Sequence, residues 1–336
     1  MKSIPLNIAA SLYGLSEAEL HPLRGGHFAH VYGFKRNDRN FVVRLTPPND
    51  DVDVAAQRSI LAWMAYLAAH GASVPEPLPS KNENLVEVIS SPEGEWLAVA
   101  FTQAEGILSE EIPLDQWDDV QFQTLGRSIG KMHAIAHGYV PSNEVSYPQW
   151  ETGGNLFNRQ IENESWLKEK QSRVLEQIRA LPRPAEAYGL VHCDLHFGNF
   201  FVETHKQIVT LIDFDDCAYG WFVMDIAVLL FDILVLYLGT DKNEYGQDFL
   251  RNFLTGYLTE NPLSMFWLEQ LPLFLKLLEI NIYDMVAKSY PDDAGEWGMK
   301  FMPGRKDRLE DDTPYMNLNL SALRPRLSPP KKECNR

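Results

Sequence analysis

The sequence predicts an α+β fold in two lobes, a β-rich N-terminal lobe with one long helix and a mainly helical C-terminal lobe. Three observations predict it. Short β-rich runs fill most of the first hundred residues, a single segment among them (Val54–Ala69) carries apolar residues at helical spacing, and beyond Asp115 helical patterns dominate around one island of short strands. A length of 336 residues suits two domains or one large two-lobed one at ~150 residues per domain.

The elements follow in order. His30–Phe34 and Phe41–Leu45 flank the polar run Lys35–Asn40 and read as a hairpin. Val54–Ala69 is the long helix, with Gly71 as its stop. Pro75, Pro77 and Pro79 then break the chain before two strands, Leu85–Ile89 and Trp96–Thr102. The polar stretch Gln103–Gly106 is a hinge, dividing an N-terminal lobe over 1–102 from a C-terminal lobe over 107–336. Expected helices are Trp117–Ala136, Ile161–Ala180, Phe222–Leu238, Gln247–Leu258 and Met265–Ser289, and residues 141–184 have the character of an insert, either a substrate lid or packing on the C-terminal lobe. Tyr188–His192, Asn199–Val202 and Ile208–Ile212 form the strand island, whose tight turns display loops for chemistry.

Composition narrows the function. Thirty basic against 46 acidic residues give a net charge of −16. Such a balance argues against nucleic-acid binding, which neutralises phosphates with Lys and Arg. Cys193, Cys217 and Cys334 have no paired spacing, which argues against a secreted disulfide scaffold and points to the reducing cytoplasm. The N-terminal residues lack the apolar stretch of a signal peptide. The run Trp221–Leu238 is apolar but contains Asp225 and Asp232. Each Asp would cost roughly 2.5–3.5 kcal/mol at a bilayer centre, so a buried helix is expected there and no membrane partner.

The chemistry concentrates in the island. LVHCDLHFGNFFV, from Leu190, contains His192, Asp194 and Asn199 as H-x-D-x-x-x-x-N, and VTLIDFDD places Asp213 directly after an apolar strand. Phosphoryl transfer needs these parts: one carboxylate to orient or deprotonate the attacking hydroxyl, and an amide oxygen with a second carboxylate to hold Mg²⁺ against a triphosphate. A competing arrangement is chelation of a transition metal by His192, Asp194 and His196, which share one face of an extended strand. It leaves the Gly198–Asn199 turn and Asp213 unexplained.

At these residues the chain resembles the aminoglycoside phosphotransferase and choline kinase-like superfamily of small-molecule kinases. HCDLHFGNFFV looks like that family's catalytic loop and LIDFDDCAYGWFVMDIA like its metal-binding segment, while RGGHFAHVYGF, from Arg24, is similar to its nucleotide-covering hairpin. The resemblance covers most of the chain and implies a bilobal protein-kinase-like fold, ATP or GTP with Mg²⁺ as cofactors, and a small-molecule hydroxyl as acceptor. It implies Asp194 as catalytic base, Asn199 and Asp213 as Mg²⁺ ligands, and His192 and Asp225 as supports of the loop. Gly25 and Gly26 would cover phosphates, and adenine would meet the hinge backbone at Gln103 and Glu105. Asp215 either assists the metal or caps a turn.

Two departures stand out. The family places a Lys on the third strand, paired with a helix Glu; here the strand FVVRL offers Arg44, whose fork is not equivalent to a lysine. No Glu occurs between Glu19 and Glu76, so Asp53 or Gln57 is the candidate partner. These departures motivate an alternative, a pseudokinase-like binding or regulatory module without transfer. For the acceptor, residues 201–300 hold 16 acidic and 6 basic residues. Either these are solvated helix faces, or they attract a cationic acceptor such as an amino alcohol or aminoglycoside. Trp221, Tyr283, Asp284, Glu296 and Trp297 are candidate walls for its ammonium.

Overall fold

A computed structural model describes residues 4–23, 29–48, 53–153, 155–162, 164–290 and 292–323. The chain divides into two compact units, one of residues 1–105, 140–147 and 210–215, the other of 106–139, 148–209 and 216–336.

The first unit begins with helix α1 (Leu6–Leu12) and then forms strands β1 (His21–Pro22), β2 (His30–Arg36) and β3 (Arg39–Thr46). The β2–β3 hairpin closes at Asn37 and Asp38, with φ of 48° and 59°. Two consecutive positive φ values make the two-residue turn whose twist matches that of the strands, and Asn and Asp tolerate that conformation. Helix α2 (Val54–Ala69) is capped by Asp53, which accepts from the Ala55 and Ala56 amides, and it ends before Gly71 at φ +82°. Strands β4 (Pro77–Leu78), β5 (Glu87–Ser91) and β6 (Gly94–Thr102) complete an antiparallel sheet ordered β1-β2-β3-β6-β4, with β5 also paired to β6.

Alternation along β3 decides what each face does. Phe41, Val43 and Leu45 are buried in one apolar cluster with Ala9 of α1, Tyr13 just after it, Phe34 of β2 and Trp96, Ala98 and Ala100 of β6. Val42, Arg44 and Thr46 therefore point to the opposite face, where Arg44 meets Gln57 of α2. Residues 140–147 join this unit through α2: the Ser146 amide and the Tyr147 hydroxyl bond Ser59.

The second unit opens with strand β7 (Ile107–Leu108), followed by α3 (Asp119–Ala136) and α4 (Ser165–Arg179). Strands β8 (Tyr188–Val191) and β9 (Phe200–Glu203) come next; β9 pairs with β7 on one side and with β10 (Ile208–Leu211) on the other. Strand β11 (Ala218–Trp221) returns antiparallel to β8. Helix α5 (Val223–Leu236) follows, buried from Val223 through Val235. This is the apolar run with two aspartates, and among the described residues no helix is long and apolar enough to cross a membrane. Helices α6 (Lys242–Tyr257), α7 (Met265–Leu268), α8 (Leu271–Ala287), α9 (Gly295–Phe301) and α10 (Arg305–Glu310) complete the unit.

The α3–α6 contact is backbone to backbone. A Cβ on Gly126 would lie 2.0 Å from the Phe253 carbonyl oxygen, and one on Gly256 would lie 1.8 Å from that of Gln123. Only glycine permits this approach, and it brings His133 of α3 beside Tyr257 of α6.

Candidate active site

In the second unit the segment between β8 and β9 carries His192, Asp194 and Asn199. Its entry is held by Asp225, in the first turn of α5 and fully buried. One oxygen of Asp225 accepts the Cys193 amide at 2.8 Å; the other accepts the His192 amide at 2.9 Å and His133 Nε2 at 3.0 Å. Cys193 sits at φ +68°, a strained conformation for a residue with a Cβ, and these bonds hold it there. Burial also pushes the Cys193 thiol well above its ordinary pKa, so it is inert as a nucleophile.

His133 extends the support inward. Its Nε2 faces the carboxylate and therefore carries the proton, while Nδ1 accepts from the Tyr257 hydroxyl at 2.8 Å; that hydroxyl in turn receives an Asn261 amide proton. Burial lowers the His133 pKa, against the attraction of Asp225, which keeps the imidazole neutral. His133 carries no motif signature in the sequence, and it stands 92 positions from Asp225.

Within the loop, Asn199 Nδ2 donates to the main-chain oxygen of Asp194 at 2.8 Å and to its Oδ2 at 3.0 Å. Both amide protons are thereby used, leaving Asn199 Oδ1 as an oxygen donor and Asp194 Oδ1 as the carboxylate oxygen open to a substrate hydroxyl. His196 Nε2 lies 3.7 Å from Asp194, too far for a hydrogen bond, and its Nδ1 accepts the Gly198 amide. His192, Asp194 and His196 do not converge as chelators; among the described residues no group of three His, Cys, Asp or Glu is placed to hold a metal. The far side of the loop rests on Asp232 of α5, which accepts the Phe197 amide on one oxygen and Trp297 Nε1 on the other, both at 2.8 Å. Burial raises the Asp232 pKa despite these donors.

The first unit holds the other group of residues. Arg44 Nη1 and Nη2 donate to the two oxygens of Asp215 at 2.8 and 3.0 Å, and Nη2 also donates to Gln57 Oε1 at 2.8 Å. Asp213 Oδ1 is 3.8 Å from Nη1, beyond hydrogen-bond reach. Burial alone would lower the Arg44 pKa, but the charges of Asp215 and Asp213 and the hydrogen bonds to Asp215 outweigh it and raise it. Of the two candidate partners from α2, Gln57 meets Arg44 and Asp53 is spent as the helix cap. Asp215 lies in the 3-10 turn Phe214–Asp216 and is a bidentate partner of Arg44, a role the sequence does not signal. Asp213, at φ +62°, is a second strained position.

The donor set suits a nucleotide with a hard cation. Asn199 in the second unit offers a neutral oxygen and Asp213 in the first a carboxylate, each the kind of oxygen that Mg²⁺ accepts. Arg44 Nε and Gln57 Nε2 are buried donors with no partner among the described residues, beside a guanidinium that attracts phosphate. At the hinge the Gln103 amide donates to Asn40 at 3.0 Å, so that N–H is committed to its own sheet, and Glu105 ends the first unit. Gly25 and Gly26 lie outside the described residues.

The supposed ammonium walls are not assembled. Trp221 is fully buried and its Nε1 donates to Pro182. Tyr283 packs edge-on to Trp166, Asp284 pairs with Lys288, and Glu296 pairs with Lys300. Four acidic residues of the 201–300 segment, Asp225, Asp232, Glu279 and Asp284, are buried and committed to internal partners.

Comparison with known proteins gives a consistent picture. Residues 19–265 match the model of the phosphotransferase enzyme family. The chain is 31% identical over 327 residues to an amicoumacin kinase of Bacillus subtilis (strain 168), covering 94% of each protein. It is 25% identical over 236 residues to a homoserine kinase of Agrobacterium fabrum (strain C58 / ATCC 33970), covering 68% of this chain and 69% of that one. Among solved structures, an amicoumacin kinase in complex with AMP-PNP, Ca²⁺ and Ami superposes with a TM-score of 0.83 at 27% identity, covering 95% of this chain and 96% of the other. A microcompartment-associated aminopropanol kinase shares the fold, with a TM-score of 0.68 at 19% identity over 91% and 97% of the two chains.

Proposed function

The chain belongs to the phosphotransferase enzyme family and moves phosphate from ATP to a hydroxyl of a small molecule, and we propose that its acceptor is amicoumacin or a related amine-bearing alcohol. The observation that carries this reading is the identity of 31% to an amicoumacin kinase across 94% of both proteins. The α+β, protein-kinase-like fold expected from the sequence is the fold observed. Nothing in the comparisons favours a binding module without transfer.

In the mechanism we propose, Asp194 receives the acceptor hydroxyl on Oδ1, since Asn199 occupies Oδ2. The hydroxyl oxygen attacks the γ-phosphorus, its proton passes to Asp194, and the bond from the γ-phosphorus to the bridging oxygen breaks, releasing ADP. Transition states of this kind need positioning and charge compensation more than covalent chemistry. Asn199 Oδ1 and Asp213 would hold Mg²⁺, which supplies neutralising charge to the phosphates when bound. Arg44 supplies fixed positive charge, and Asp225 keeps the loop in its strained form, so that Asp194 needs no rearrangement during the reaction.

The test is product analysis. The chain is incubated with ATP, Mg²⁺ and, in parallel, amicoumacin, aminopropanol, homoserine or an aminoglycoside, and each acceptor is examined by mass spectrometry for a gained phosphoryl group. Amicoumacin is expected to be modified, and Asp194→Asn to slow its modification by about 10²–10⁴-fold. Modification of another acceptor alone would overturn the acceptor assignment.

A further inference from the structure

We propose that Asp215 is the counter-ion that aligns Arg44 on the nucleotide phosphates, replacing from the loop after β10 the glutamate that α2 lacks. The inference rests on the nucleotide-dependent transfer proposed above.

The donors of Arg44 can be followed one by one. Nη1 and Nη2 each give a proton to a different oxygen of Asp215, and the second Nη2 proton goes to Gln57 Oε1. The second Nη1 proton and the Nε proton are left over, and Nε is buried without a partner among the described residues. Gln57 is neutral, so it orients the guanidinium without balancing its charge. A carboxylate has to come from elsewhere, and Asp215 meets the fork with both oxygens in the bidentate geometry that Arg favours. Asp213, at 3.8 Å, adds its charge beside Arg44 without a hydrogen bond to it, so the partner that fixes the plane of the fork is Asp215. A lysine could not hold Gln57 and both Asp215 oxygens in one plane. Arg44, Gln57 and Asp215 are therefore a matched set, and Asp215 is a positioning residue that acts through Arg44.

The test is calorimetric binding of AMP-PNP to the full chain at limiting and at saturating Mg²⁺, with thermal melting followed in parallel. Asp215→Asn is expected to weaken AMP-PNP about thirtyfold at both Mg²⁺ levels, the lower end of the range for truncating one partner of a charge pair. Adding Gln57→Glu to D215N returns a carboxylate to Arg44 from the helix side and is expected to recover most of that loss. Three results would overturn the inference: unchanged binding by D215N, a loss that disappears at saturating Mg²⁺ (which makes Asp215 a metal ligand), or no recovery in the double variant. If D215N does not fold, the double variant decides, since the inference requires it to fold and to bind nearly as the wild type does. Failure of the wild-type chain to bind AMP-PNP at any Mg²⁺ level would overturn the transfer reading itself, and the inference with it.

Discussion

Replacing Asp225 by Asn tests how the loop bearing Asp194 is held. The wild-type carboxylate takes three donors: the His192 amide and His133 Nε2 on one oxygen, and the Cys193 amide on the other. An Asn can put its one oxygen in the first position, but its NH₂ group then faces the Cys193 N–H, donor to donor. The change removes a hydrogen bond to a charged acceptor, about 1.5–3 kcal/mol, and strands a buried N–H, about 1–3 kcal/mol; partial relaxation brings the expected loss to about 3 kcal/mol. At roughly 2–4 °C per kcal/mol for a unit of this size, differential scanning calorimetry should show the transition of the second unit lowered by about 6–12 °C. Cys193, released from φ +68°, relaxes and displaces the adjacent Asp194, so kcat should fall by about a hundredfold in a steady-state assay of phosphorylated product. A variant melting within about 1 °C of the wild type, with kcat intact, would refute the anchoring argument.

Four further outcomes are expected. Asp194→Asn should lower kcat by about 10²–10⁴-fold with an unchanged melting temperature, because the side chain is partly exposed and its role is proton acceptance; equal kcat would remove it as the base. Asp213→Asn should weaken the Mg²⁺-dependent part of AMP-PNP binding and spare the Mg²⁺-independent part, as read by calorimetry with and without the cation. Gly256→Ala should destabilise the second unit by about 3 kcal/mol or more in urea unfolding, because a Cβ would strike backbone rather than a movable side chain, and native-like stability would show that the two helices can separate freely. The last concerns pH. The folded chain holds His133 below its ordinary pKa, so the unfolded chain takes up a proton near pH 6.5 that the folded one refuses. Stability from this group is complete above that pH and is lost as pH falls below it, by at most about 1.4 kcal/mol per pH unit. Urea midpoints between pH 7.5 and pH 5.5 should therefore drop more for the wild type than for His133→Asn, and equal drops would contradict the assignment.

What the sequence disclosed depended on how local the cause was. Helix α2 matches its periodic segment end to end, because the Asp53 cap and the Gly71 stop are adjacent to it in the chain. The expected helix Met265–Ser289 is instead α7 and α8, parted at Glu269–Gln270, and Pro272 in the first turn of α8 was the available sign. Strands β7 and β11 were missed because two to four residues have little pattern of their own and owe their extended form to partners far along the chain, as β11 does to β8. The site divides in the same way. Asp194 and Asn199 lie in one loop, so spacing alone brings them together. Arg44 and Asp215 are 171 positions apart, and no local pattern links them. Gln57 could be named as a candidate beforehand because one turn of helix fixes where it can reach; whether it or Asp53 faced Arg44 depended on which of them the helix end required.

Asp232 has a consequence for the order in which the molecule becomes competent. Its two oxygens join the Phe197 amide of the loop to the indole of Trp297 on α9, about one hundred residues further along the chain. A polypeptide emerging from the ribosome as far as residue 290 already contains every motif residue from His192 to Asp225, yet its loop lacks the bond that steadies Asp232 from outside. The support beneath the loop is therefore completed only with the C-terminal helices, and a nascent or prematurely terminated chain carries the kinase signature with one oxygen of Asp232 still lacking its indole partner.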